Sequence, residues 1–394
     1  MKSAINWTPV RQVLLPYAQQ WIDEADIRAV TAVLKSDFLT TGPQIGAFER
    51  AIADYVGAKY GVAFSSGTAA LHGACFAAGI TRDDEVICTP MTFAASANCV
   101  LYCGGRPVFA DIDPQTYNID PRQIEQKITP RTKAIIPVDY TGQPVELDKI
   151  LAIARRHRLT VIEDGAHALG ARYQSQRVGA LSDMTMFSFH PVKQITCGEG
   201  GMITTNNETY YRRLLQFRSH GITRDPRFLE KNDGPWYYEM QFLGFNYRMT
   251  DIQAALGLSQ LKRIEAFIAR RKAIVAQYDA AFAGVPELIT PHQHPGADSS
   301  WHLYVLRFAT DRLNAGRREI YKALRTQNIG VNVHYLPVYC HPYYRKLGYS
   351  VGLCPNAERH YEQIVTLPLF PKMTDRDVAD VITAVGRTVA AYRK

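Results

Sequence analysis

The sequence has few cysteines, no block of like charge and no long apolar run, and each absence removes a class of function. Seven cysteines stand among 394 residues: Cys75, Cys88, Cys99, Cys103, Cys197, Cys340 and Cys354. Their odd number and the lack of any C-x-x-C pair exclude a disulfide framework and a cysteine-built metal site, so reduced thiols, mostly in the core, are expected. No later stretch reaches the roughly 20 apolar residues that cross a bilayer. The opening MKSAINWTPVRQVLLPYAQQW has no apolar signal-peptide core. A cytoplasmic location without membrane contact is the expectation. Lysine and arginine exceed the acids to give a formal charge of +8, yet they are dispersed and form no basic arm or stripe of the kind that binds nucleic acid. A small phosphate-bearing ligand suits that dispersed excess better.

What is present is an enzyme-sized chain with 46% apolar residues, enough for one large domain and one smaller one. Helical spacing runs from about Trp21 to Lys35. The loop FLTTGPQI follows, with Gly42 and Pro43 closing it before a helix around Ala47 to Tyr55. Then β-rich runs alternate with helical or loop segments: YGVAFSS, DEVICTP, RPVFADI, TKAIIPVDY and LTVIEDG. This order predicts βαβ units and a mostly parallel sheet. DMTMFSFHPVK and GGMITTN read as two more strands joined by a tight glycine-rich loop. One long helical pattern extends from Asp251 to about Ala283, and PELITPHQHPGADSS marks a boundary near 285 to 300. The reading is a large α/β domain over 1–285 and a smaller C-terminal α+β domain over 286–394, with helices near 314–328 and 375–391.

Three short segments carry chemistry. Ser65-Ser66-Gly67-Thr68 follows a strand and opens a helix, where unpaired N–H groups, a small glycine and two hydroxyls make a phosphate cradle; a plain N-cap would read the same way. Glu163-Asp164-Gly165-Ala166-His167 puts a carboxylate at the carboxyl end of a buried strand, where it needs a cationic partner such as a protonated pyridine nitrogen. Alternatively, Asp164 caps the next turn. Ser188-Phe189-His190-Pro191-Val192-Lys193 places a lysine at a strand end. An aldehyde cofactor requires such a lysine in a partly dry pocket, because a Schiff base forms only through the neutral amine. In order along the chain, the cradle, the aromatic Phe93, Asp164 and then Ser188 with Lys193 answer the phosphate, ring face, ring nitrogen and aldehyde of pyridoxal 5'-phosphate.

With these residues in place the sequence resembles the DegT/DnrJ/EryC1/StrS family of fold-type I aminotransferases acting on nucleotide-linked keto-sugars. The resemblance runs from the TTGP loop through SSGTAAL, PMTFAASAN, EDGAHALGA, SFHPVKQITCGEGG and NYRMTDIQAALG to HYLPVY and PYY. Within the family, FHPVKQIT followed by GEGG is most similar to the branch that aminates C4 of a UDP-linked 4-keto-6-deoxy sugar for pseudaminic acid, with L-glutamate as donor and 2-oxoglutarate as by-product.

The resemblance implies that Lys193 bonds the cofactor aldehyde and that Asp164 partners the pyridine nitrogen. It puts Phe93 on the ring, Ser66, Gly67, Thr68 and Ser188 around the phosphate, and His167 near the ring hydroxyl. It also implies a homodimer in which Asn246 reaches the phosphate of the neighbouring subunit. His190 is open between proton transfer, contact with the sugar phosphates and a structural role. The segment His334-Tyr335-Leu336-Pro337, with Tyr343 and Tyr344, is a candidate lining of the sugar cleft. Many relatives carry a small or hydroxylic residue where Cys197 stands, and the stacking aromatic varies. Alternatives are an aminotransferase for a dTDP- or GDP-linked keto-sugar, and a non-catalytic regulatory protein that keeps the cofactor. A sugar 3-dehydrase of the same superfamily would carry histidine in place of Lys193.

Overall fold

The computed structural model describes residues 7–394. Seven strands form the central sheet: β1 (Tyr60–Phe64), β2 (Glu85–Cys88), β3 (Arg106–Phe109), β4 (Thr132–Ile136), β5 (Thr160–Asp164), β6 (Met184–Ser188) and β7 (Gly201–Thr205). Their order is β1-β7-β6-β5-β4-β2-β3. The strands are short and buried on both faces, as a sheet covered by helices on each side requires. Pairing is parallel from β3 across to β6, whereas β7 is antiparallel to both β6 and β1. Six strands therefore point the same way. The connection from β6 to β7 returns at the end where it started, so everything in it, Lys193 included, stays at the carboxyl edge of the sheet.

The helices that matter for this edge are α1 (Glu24–Leu34), α2 (Pro43–Val56), α3 (Gly67–Ala77), α4 (Ala95–Tyr102), α5 (Leu147–His157), α6 (Glu208–Phe217), α7 (Asp251–Leu261) and α8 (Ile264–Phe282). Pro43 does not close the loop but opens α2 at its first position, where its missing N–H costs nothing and its fixed φ already suits a helix. The single long helix expected from Asp251 to Ala283 is two. Lys262 and Arg263 turn back onto carbonyls three residues earlier, and the Arg263 guanidinium pairs with Asp23 at 2.8 Å and with the buried Asp26, both in the capping box of α1. Periodicity alone shows neither the turn nor the contact with α1.

A second, three-stranded sheet follows: β8 (Leu288–Ile289), β9 (Tyr304–Phe308) and β10 (Ile364–Leu367) in the order β8-β9-β10. Helices α9 (Arg317–Thr326) and α10 (Asp375–Tyr392) cover it. Its apolar cluster also takes in Leu15 and the α8 residues Ile274, Val275, Tyr278 and Phe282. Arg271 of α8 is fully buried; its Nη1 donates to the carbonyls of Trp301, His302 and Leu369 at 3.2, 3.1 and 2.9 Å. That clasp ties the segment before β9 to the long helix. Among the described residues no helix is long and apolar enough to cross a membrane, and all seven cysteines are free, five of them buried.

Candidate active site

A cavity of about 590 Å³ opens at the carboxyl edge of the sheet. Its floor begins where β1 turns into α3. Ser66 is extended, with φ −160° and ψ 164°, and its Oγ accepts from the Ala69 N–H at 3.1 Å. The N–H groups of Gly67 and Thr68 have no partner within the helix, and they carry the positive end of its dipole. Two glycine positions bring the neighbouring strands against this turn. A Cβ on Gly67 would lie 3.2 Å from Cβ of Ser188, and one on Gly201 would lie 2.4 Å from the Ser66 carbonyl oxygen. Ser188, the last residue of β6, therefore sits beside the open helix end. Ser66, Gly67, Thr68 and Ser188 all line the cavity.

Asp164 ends β5 and is buried. Its Oδ1 accepts from the Ala166 N–H at 3.1 Å and its Oδ2 from the Ser96 hydroxyl at 2.6 Å. Burial raises its pKa above the ordinary value; the Ser96 hydroxyl, the Ala166 N–H and the Lys193 charge oppose that rise. Lys193 follows β6 in a turn closed by its own N–H on the His190 carbonyl at 3.0 Å. Burial pulls the ammonium pKa down to about 8, with the Asp164 carboxylate resisting. A lysine in that range has a substantial neutral fraction near neutrality, as an amine nucleophile or base requires.

Three imidazoles complete the inner wall. His167 Nε2 lies 3.1 Å from the Tyr335 hydroxyl, while its buried Nδ1 has no partner among the described residues. Its carbonyl accepts from Ser300 Oγ at 2.9 Å and from Gln194 Nε2. The His302 ring is centred 4.4 Å from that of His167. Burial, with the nearby Lys193 charge, pushes both far below the ordinary histidine value and His334 down to about 3. All three are neutral around pH 7.

The remaining expected residues fall in different places. Phe93 stands at the mouth, 63% exposed, and His190 is exposed on the rim. His334 and Tyr335 line the cavity, but Tyr343 and Tyr344 do not. Tyr344 is buried against Phe109 and Tyr349, its hydroxyl on Asn98 at 2.7 Å, and Tyr343 points outward. One helical turn (Pro342–Lys346) buries one tyrosine and exposes the other, so the cleft-lining expectation is corrected for both. Asn246 is exposed, bridged to Ser219, and lies outside the cavity of its own chain. Residues that the sequence did not single out also line it, notably Thr92, Ser96, Glu199, His302 and Asn332.

The DegT/DnrJ/EryC1/StrS aminotransferase family model matches residues 20–386. The chain belongs to that family. The spore coat polysaccharide biosynthesis protein SpsC of Bacillus subtilis is 44% identical to this family member over 95% of the chain and 97% of its own length. Among solved structures, Helicobacter pylori PseC, an aminotransferase of pseudaminic acid biosynthesis, superposes with a TM-score of 0.89 at 33% identity, covering 96% of this chain and 100% of that one. The putative sugar aminotransferase Spr1654 of Streptococcus pneumoniae, solved in its PMP form, gives 0.89 at 33% identity over 96% and 99% of the two chains; a PLP form of it matches equally well, with a TM-score of 0.89. The helix-flanked, mostly parallel sheet is the fold-type I architecture that the sequence led us to expect.

Proposed function

We propose that the chain is a pyridoxal-phosphate-dependent aminotransferase that moves the amino group of L-glutamate to C4 of a UDP-linked 4-keto-6-deoxy-N-acetyl-hexose. The product would be UDP-4-amino-4,6-dideoxy-N-acetyl-β-L-altrosamine. One observation carries the reading: a single cavity holds an open helix N-terminus, a buried carboxylate with a donor on each oxygen, and a lysine with its pKa lowered to about 8. This donor set fits the cofactor's phosphate, ring nitrogen and aldehyde, and the unpartnered Nδ1 of His167 offers a bond to its ring hydroxyl.

The N–H groups of Gly67 and Thr68, with the hydroxyls of Ser66, Thr68 and Ser188, would hold the phosphate. Phe93 would cover the ring. When bound, the cofactor supplies an electron-withdrawing ring that takes up the charge left when carbon loses a proton. Asp164 keeps a proton on the ring nitrogen, which sustains that pull. Lys193 Nζ would hold the aldehyde and, as a neutral amine, would take and later return the substrate's proton. The neutral imidazoles place no competing positive charge beside Lys193. His190, on the rim, is in position to meet the sugar phosphates or to pass a proton. Asn246 is exposed outside its own cavity, and we assign it to the phosphate of a second copy in a homodimer with shared sites.

The pseudaminic acid branch is supported by likeness to PseC, and the UDP carrier by the resemblance of FHPVKQIT followed by GEGG to that branch. The relative SpsC, 44% identical, is named for a different pathway, spore coat polysaccharide biosynthesis, and the second reading is accordingly another nucleotide-linked keto-sugar, carrying dTDP or GDP. Incubation with L-glutamate and matched UDP-, dTDP- and GDP-linked 4-keto-6-deoxy sugars, read by mass spectrometry, separates them. A UDP-amino-sugar with equimolar 2-oxoglutarate is the expected result. Product from only the dTDP or GDP sugar would establish the second reading. No transfer from glutamate to any of them would leave a non-catalytic cofactor-binding protein.

A further inference from the structure

We infer that Ser96, backed by Thr92, is a positioning residue that keeps Asp164 ionised and aimed into the cavity. The inference rests on the reading of Asp164 as the partner of a pyridine nitrogen. Ser96 lies in the first turn of α4, 1% exposed, and reaches across from the helix after β2 to the end of β5. Its Oγ has three neighbours: Asp164 Oδ2 at 2.6 Å, Thr92 Oγ1 at 2.7 Å and the Phe93 carbonyl at 3.3 Å. A hydroxyl has one proton to give. The shortest contact is to the only carboxylate among the three, so the proton points to Asp164. The Thr92 hydroxyl then donates to Ser96, and the two form a relay whose members polarise each other in the same direction.

The neighbourhood shows why such a relay matters. Three carboxyl groups are buried side by side, Asp139 just after β4 and Glu163 and Asp164 on β5. Burial raises all three pKa values, and Glu163 and Asp164 add to the rise at Asp139. Asp139 Oδ2 and Glu163 Oε1 have no partner, so among the described residues Asp164 alone of the three has a donor on each oxygen. Facing Asp164 from other elements are Lys193, whose charge favours the carboxylate, and the Tyr335 hydroxyl; the neutral His167 lines the same cavity. A proton on Oδ2 would turn the Ser96 hydroxyl from the carboxylate to the neutral Phe93 carbonyl at 3.3 Å, exchanging a short charge-assisted bond for a longer neutral one. The relay therefore opposes protonation through hydrogen-bond direction as well as through charge.

The test uses Ser96→Ala and the isosteric Thr92→Val, each titrated with pyridoxal phosphate from pH 6 to pH 9, reading affinity and the pH midpoint of the bound cofactor's visible absorption. Loss of a hydrogen bond to a charged group predicts a Kd about tenfold higher or more for Ser96→Ala. The defect should grow as pH falls, because an Asp164 with a higher pKa is increasingly neutral at the acid end. Thr92→Val should show a smaller effect of the same sign, and the double variant should be no worse than Ser96→Ala, since Thr92 acts through Ser96. Unchanged affinity, or a loss that is the same at every pH, would overturn the inference while leaving the cofactor reading intact. If Ser96→Ala does not fold, Thr92→Val alone decides by the same criteria. Failure of the unsubstituted protein to bind pyridoxal phosphate would remove the cofactor reading itself and this inference with it.

Discussion

At the scale of single residues, the site depends on a lysine and a carboxylate that burial pushes toward neutrality and each other's charge pulls back. For Lys193 the sign is clear: its pKa lies below the ordinary lysine value, so its neutral amine accumulates as pH rises through about 8. The rate at which pyridoxal phosphate attaches to the cofactor-free protein should therefore climb between pH 7 and pH 9 and then level off, followed by stopped-flow absorbance. A rate still climbing steeply past pH 10 would mark an unperturbed lysine. Lys193, Asp164 and Ser66-Gly67-Thr68 were legible because each is a rare residue type for its place, a charge or an open turn at the end of an apolar strand. Ser96 and His302 were not. A serine in an alanine-rich helix and a histidine before a strand have no local pattern that reveals a partner 68 residues away in one case and a neighbouring ring from another segment in the other.

At the scale of elements, the proposed phosphate cradle is a property of three backbones that meet at glycine. Gly201→Ala would drive a methyl group to 2.4 Å from the Ser66 carbonyl, where the neighbour is backbone and cannot rotate aside. It should cost roughly 1–3 kcal/mol of stability in urea unfolding and weaken pyridoxal phosphate binding as well. Gly386→Ala, in α10 with open space around it, should instead stabilise by about 0.5–1 kcal/mol. All seven central strands were legible as apolar runs between turn residues. The break between α7 and α8 was not, because no helix-breaking residue stands there; Arg263, at the turn, pairs with Asp23 and Asp26 in the capping box of α1, a contact that patterning along the chain does not register. Tyr343 and Tyr344 were misread for a related reason: a sequence shows that two aromatics are adjacent, but which one faces the core depends on the helix that carries them.

For the whole molecule, the position of Asn246 outside its own cavity makes a specific demand on assembly. If it serves a neighbouring subunit, Lys193→Ala and Asn246→Ala damage different halves of a shared site. Refolding the two inactive variants together should give hybrid dimers with one intact site and about a quarter of the normal activity, whereas no recovery would place Asn246 outside the catalytic assembly. The division of the chain is also a whole-molecule matter. Leu15 and half of α8 pack in the cluster of the small sheet, contacts between distant parts of the chain that hydrophobic patterning along it cannot register.

The claim on which the rest depends is that Lys193 carries the cofactor. The protein should be saturated with pyridoxal phosphate, reduced with borohydride, digested and mapped by mass spectrometry. The account predicts a single phosphopyridoxyl group on Lys193, lost when L-glutamate is added before the reductant. Label on any other lysine, or none at all, would contradict it.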